Sequence, residues 1–105
     1  MQIQINTDSN IAGREKLAAH FKAVVKEALS RFSAQITRVE VHLSDENSRK
    51  KSGHDDKRCM LEARLEGLQP IAVTHQAATL DQAVGGAAEK LKKSLENTLG
   101  RLHDH

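Results

Sequence analysis

ITRVEVHLS, residues 36–44, alternates between apolar and polar side chains. Val39, Val41 and Leu43 point one way, and Arg38, Glu40, His42 and Ser44 the other. A period of two is that of a strand with one face in a core and the other in water. What flanks this strand decides the fold. Upstream, Leu17, Phe21, Val24, Val25, Ala28, Leu29 and Phe32 recur at three- and four-residue steps. That stripe predicts an amphipathic helix from about Arg14 to Phe32–Ala34, with Gly13 at the N-cap. Earlier still, MQIQIN (1–6) sets Ile3 and Ile5 against Gln2, Gln4 and Asn6 as a first strand, and TDSN (7–10) supplies turn chemistry.

Downstream, DENSRKKSGHDDKR (45–58) breaks every period and holds five basic and four acidic residues. It reads either as a solvated connector, longer than the usual ~2–5-residue hairpin loop, or as a charged finger that touches a partner. Alternation resumes with Cys59, Leu61, Ala63 and Leu65 set against Arg58, Met60, Glu62, Arg64 and Glu66. A turn at Gly67–Pro70 leads to a fourth strand carrying Ile71, Val73 and His75 or Ala77, with Pro70 at its start. Thr79 and Gln82 then have capping-box spacing. The stripe Leu80, Val84, Ala87, Leu91, Leu95, Thr98 and Leu102 predicts a second helix.

One-faced strands and one-striped helices bury their apolar surfaces together when both helices stack on the same side of the sheet. The first strand–helix–strand unit allows a right-handed parallel crossover, and the later strands allow antiparallel pairs. The expected fold is α+β: a β-α-β-β-β-α two-layer sandwich with a four-stranded mixed sheet. The expectation is one domain over residues 1–105, with a loop at about 45–57 and a frayed C-terminal end.

Composition narrows the function. The chain has 105 residues, 38 % apolar, and its only aromatics are Phe21 and Phe32, so Ala, Val, Leu and Ile must build the core. No apolar run nears the ~20 residues of a membrane span. The start, MQIQINTDSN, lacks the pattern of a secretory signal. The lone Cys59 fits a reducing compartment, so the expected location is the cytoplasm. Sixteen Lys and Arg against fourteen Asp and Glu leave a net charge of +2, too small to announce a nucleic-acid partner by composition.

Catalytic signatures are missing. There is no G-x-S-x-G, Walker loop or dinucleotide fingerprint. Of six histidines, His20 stands alone, His54 adjoins Asp55 and Asp56, and His103 and His105 flank Asp104. None of these has the four-ligand spacing of a closed zinc site. Cys59 follows Lys57 and Arg58, which would activate an exposed thiol, yet its parity puts it inward as a small hydrophobe. No enzyme, catalytic residue, metal, cofactor or small-molecule substrate is expected. Gly85 and Gly86, a pair inside the second helix, read either as close packing or as room for a phosphate backbone or partner.

Basic side chains stand on both helices. Lys90, Lys93, Asn97 and Arg101 form one stripe with Lys92 beside it. Lys22 and Lys26 are one turn apart, with Lys16, His20 and Arg31 toward the other flank. With both helices on one sheet face, these surfaces are expected to be neighbours and to form a basic patch for phosphates. The competing reading is a solvated surface interleaved with Glu15, Glu27, Glu89 and Glu96. Scarce aromatics disfavour base stacking and leave shape and phosphate recognition of folded RNA.

The chain resembles the ribosome hibernation promoting factor and ribosome-associated translation inhibitor family (short type, sigma-54 modulation protein-like). The likeness runs through MQIQI, Asn10-Ile11, ITRVEVHLS (36–44), DKRCMLEARLEG (56–67) and TLDQAVGGAAEKLKKSLENTL (79–99). Lys90 and Lys93 match the Lys and Arg of the family's D-K-L-x-R pattern. Thr79-Leu80-Asp81 stands where members commonly carry Asp-Met-Tyr. The resemblance implies a non-catalytic factor that binds small-subunit rRNA in the mRNA and tRNA channel under stress or in stationary phase. A second hibernation factor is a further implied partner. Lys22, Lys26, Lys90, Lys93 and Arg101 are the main expected RNA contacts, and Arg49, Lys50, Lys51, Lys57 and Arg58 secondary ones. Two alternatives remain: an adaptor using the sheet face around Arg38, His42, Met60 and Arg64, and a general structured-RNA binder.

Overall fold

The computed structural model describes residues 1–8, 11, 13–45 and 57–103. Along them run β1 (Gln2–Thr7), α1 (Arg14–Ala28), a 3₁₀ turn (Ser30–Phe32), β2 (Ile36–Asp45), β3 (Lys57–Leu65), β4 (Ile71–Ala77) and α2 (Leu80–His103). The strands form one sheet in the order β1-β2-β3-β4. β1 is parallel to β2, and the other two pairs are antiparallel. This is the expected β-α-β-β-β-α mixed-sheet sandwich. α1 lies against β1, α2 against β3 and β4, and the helices touch each other.

Register explains the core. Ile3, Val39, Ala63 and Ile71 make one rung across the sheet, and Ile5, Val41, Leu61 and Val73 the next. On the central strands these side chains are fully buried; on β1 and β4 they are half-buried, because an edge strand has a neighbour on one side only. Strict alternation would send Ile36 out with Arg38. A register shift between these two residues instead turns Ile36 inward, where it is 2 % exposed. This is the work of a β-bulge, which inserts one extra residue and reverses facing. Thr37 at the shift donates its hydroxyl to the Arg64 carbonyl at 3.1 Å.

α1 starts where Gly13 adopts φ 68°, a left-handed conformation that glycine takes without steric cost. The expected helix through Phe32 instead ends at Ala28, and the chain tightens into the 3₁₀ turn. Phe32 N–H bonds the Leu29 carbonyl at 2.9 Å, which tucks the Phe32 ring into the core before β2 begins. α2 opens as its capping signal predicts, with Gln82 N–H donating to Thr79 Oγ1 at 3.1 Å. Its buried arc is wider than the expected stripe and takes in Ala83, Ala88 and Leu99, because sheet and α1 press on two flanks. No helix among the described residues is long and apolar enough to cross a membrane.

Candidate nucleic-acid interface

Charge on the two helices is sorted by flank. Where α1 and α2 face each other, the pairs are of mixed sign. His20 Nε2 lies 2.9 Å from Asp81 Oδ1, and Arg31 Nη1 lies 2.9 Å from Glu96 Oε2. His20 precedes Arg31 of the 3₁₀ turn just as Asp81 precedes Glu96, so the two helices point the same way. Arg31 also places its guanidinium 5.0 Å from the centroid of the Phe32 ring.

The helices' outer flanks are basic, but they border opposite edges of the sheet. Lys22 and Lys26 overhang β1, where with Met1–Gln4 and Arg38 they line an open concavity of about 440 Å³. Lys90 reaches the other way and donates its ammonium to the Thr74 carbonyl of β4 at 2.9 Å. Three inter-strand steps put the two edges roughly 14 Å apart. The single patch expected from shared sheet packing is therefore two clusters, with a seam between them that holds the Arg31–Glu96 ion pair and the His20–Asp81 contact. Helical spacing alone could not separate them, because it does not say which flank meets the neighbouring helix.

Lys22, Lys26, Lys93 and Arg101 are exposed and lack a carboxylate or hydrogen-bond partner among the described residues. Lys92 is half-buried beside Glu89, with Nζ to Oε2 3.6 Å. Lys57 is held at the base of the β2–β3 connection, where its ammonium meets Asp45 Oδ2 at 3.2 Å. The Asp45 amide in turn donates to Asp8 Oδ2 at 3.2 Å. Arg58 stands on the outer sheet face, in register with Ser44 and Gln76. Arg49, Lys50 and Lys51 lie outside the described residues, as do His54, Asp55, Asp56, Asp104 and His105.

The outer sheet face, the adaptor surface of the sequence reading, is largely self-neutralised. Arg38 Nε pairs with Glu40 at 3.3 Å, His42 with Glu40 at 3.4 Å, and Arg64 with Glu62 at 3.7 Å. These pairs run along each strand, although Arg38 directly opposes Arg64 and Glu40 opposes Glu62. Arg38, while paired with Glu40, also borders a second surface. β2 adjoins the edge strand, so its guanidinium reaches the concavity that holds Lys22 and Lys26. From its parity in β2 Arg38 belongs with the sheet face alone, since nothing local in the sequence joins it to a helix.

Cys59 is fully buried, and burial pushes its thiol up from 9.0 to about 12, against a smaller downward pull from Arg58. A thiol so placed stays protonated and unreactive. No group of three or more His, Cys, Asp or Glu side chains gathers as a metal-ligand set among the described residues. Gly86 is resolved in favour of packing: a Cβ there would fall on the His75 ring, while one on Gly85 would meet nothing within 4 Å.

Comparison with known proteins agrees with this architecture. The fold is similar to the N-terminal domain of Thermus thermophilus Protein Y, with a TM-score of 0.67, 19 % identity, and coverage of 93 % of this chain and 99 % of that one. It is also similar to a ribosomal subunit interface protein from Coxiella burnetii, with a TM-score of 0.70, 14 % identity, and coverage of 95 % and 99 %. No curated protein matches the chain. Residues 4–103 match the model of one family along nearly the whole chain, and the protein belongs to it: the sigma 54 modulation protein / S30EA ribosomal protein family.

Proposed function

We propose that this protein is a non-catalytic, cytoplasmic, ribosome-associated translation inhibitor of the hibernation type. It binds small-subunit rRNA in the mRNA and tRNA channel under stress or in stationary phase. Membership of a family described in part as ribosomal protein supports the ribosome as partner. So does a fold similar to that of a ribosomal subunit interface protein.

The observation that carries the mode of binding is electrostatic. Lys22, Lys26, Lys93 and Arg101 hold exposed charges that no carboxylate among the described residues neutralises. Such cations recruit phosphates by releasing condensed counterions. Two basic edges flanking a helical pair suit a partner that offers phosphates on both sides of a channel. The described surface offers no aromatic platform, since both Phe rings are buried. Shape and backbone recognition follow from that composition.

Co-sedimentation with purified 30S subunits over a salt series tests this reading. With Lys22, Lys26, Lys90, Lys93 and Arg101 each on a phosphate, log K should fall with log salt at a slope of roughly −4. Absence of binding at low salt overturns it.

A further inference from the structure

The concavity at the β1 edge brings together cations from two layers of the fold. Lys22 and Lys26 descend from α1, and Arg38 comes round the edge strand from β2, its neighbour in register with Gln2. Among the described residues no carboxylate lines the hollow itself, Glu40 meeting Arg38 from the sheet face; its other walls are Met1, Gln2, Ile3 and Gln4. At about 440 Å³ it falls in the ~300–1,000 Å³ range of small-ligand clefts, a volume sufficient for a phosphodiester with its sugar.

Arg38 is held in orientation. Glu40 lies against its Nε at 3.3 Å, and Gln4 Oε1 accepts a hydrogen bond from Nη2. A guanidinium has five N–H donors in a planar fork, so these two partners leave the Nη1 side available. Glu40 also faces His42 Nε2, at 3.4 Å. A braced guanidinium opposite two flexible ammonium groups is an arrangement suited to phosphate, with Arg supplying geometry and Lys supplying charge. The exposed amide of Gln2 adds a neutral group of the kind that bonds a ribose hydroxyl, whereas that of Gln4 is engaged by Arg38 and by Asn6 Oδ1 at 3.3 Å.

We infer that Lys22, Lys26 and Arg38 form a phosphate subsite at the β1 edge, with Arg38 as its orienting ligand. The RNA backbone as the source of that phosphate rests on the ribosomal reading above. The subsite extends the interface from the helices round to the sheet, and it gives Arg38 a role separate from the sheet face.

Two measurements on the intact protein test it. In 30S co-sedimentation, R38Q should bind roughly tenfold more weakly, with the salt slope smaller by about one. R38K should recover the slope but only part of the affinity, because it lacks the fork. The thermal midpoint of R38Q should stay close to wild type. If wild type sediments and R38Q matches it in affinity and slope, the subsite is wrong and the ribosomal reading stands. NMR titration with inorganic tripolyphosphate reads the pocket without ribosomes. Saturable shifts at Lys22, Lys26 and Arg38, lost in R38Q and in K22Q/K26Q, support the site. If wild type fails to sediment, those shifts identify a free-polyphosphate site and overturn the RNA source, while their absence overturns the subsite.

Discussion

Gly86 of α2 lies flat against the imidazole of His75 on β4, so close that a Cβ on the glycine would occupy the space of the ring. His75 faces inward in register with Cys59, under the helix rather than in solvent. The helix is therefore seated on β4 through a glycine at one position and a Lys90–Thr74 bond one turn later.

Adjacent glycines should consequently respond in opposite ways. Gly85→Ala adds a methyl into open space and gains about 1 kcal/mol of helix propensity. Gly86→Ala gains the same propensity but forces the His75 ring aside, and overpacking costs about 1–3 kcal/mol. Thermal unfolding should place G85A above wild type and G86A below it by several degrees, at ~4–8 °C per kcal/mol. H75A should restore G86A. A stabilised G86A would mean that the ring moves at no cost.

Cys59 predicts a pH effect. Its folded thiol titrates near 12 against 9.0 for an exposed one, so above pH 9 the unfolded chain releases a proton that the native state keeps. The native state then binds more protons, and stability falls as pH rises from about 9 toward 12, by up to about 1.4 kcal/mol per pH unit. Denaturant midpoints measured from pH 8 to 11 should fall more steeply for wild type than for C59A. At pH 8 the native thiol should resist alkylation and react fully once unfolded; rapid native labelling would contradict its burial.

The start of α2 depends on Thr79. Its hydroxyl satisfies the Gln82 amide, one of the donors that a helix leaves unpaired at its N-terminus. T79A should lower stability by about 1 kcal/mol and T79S by much less. Equal midpoints for T79A and wild type would show that water replaces the cap.

On α2, Lys90 and Lys93 separate stability from binding. Lys93 has no partner among the described residues, whereas Lys90 holds the Thr74 carbonyl at the β4 edge. K93E should weaken 30S binding with no change in thermal midpoint. K90E should weaken binding and also cost about 0.5–1.5 kcal/mol of stability. If K93E binds as wild type does, Lys93 is not a phosphate contact.

Much of the fold was readable in advance, because periods of two and 3.6 are properties of single segments. Val39, Val41 and Leu43 announced their shared face, and Thr79 with Gln82 announced a helix start. The inward turn of Ile36 is not visible in a single segment, since a bulge depends on the strand paired alongside. The candidate site was less legible. Lys22 and Lys26 are recognisable as a turn of helix, and Lys90 and Lys93 as another. Whether those turns face each other or opposite edges depends on how each helix rotates on the sheet.

What the sequence by itself determined is the list of elements, their order and their inward faces, because backbone geometry and the burial of apolar side chains act locally. Strand order, the inward turn of Ile36, the seating of Gly86 on His75 and the meeting of Arg38 with Lys22 and Lys26 were decided only in the tertiary structure. Each joins residues distant in the chain, and its energy exists only once helices and sheet have packed.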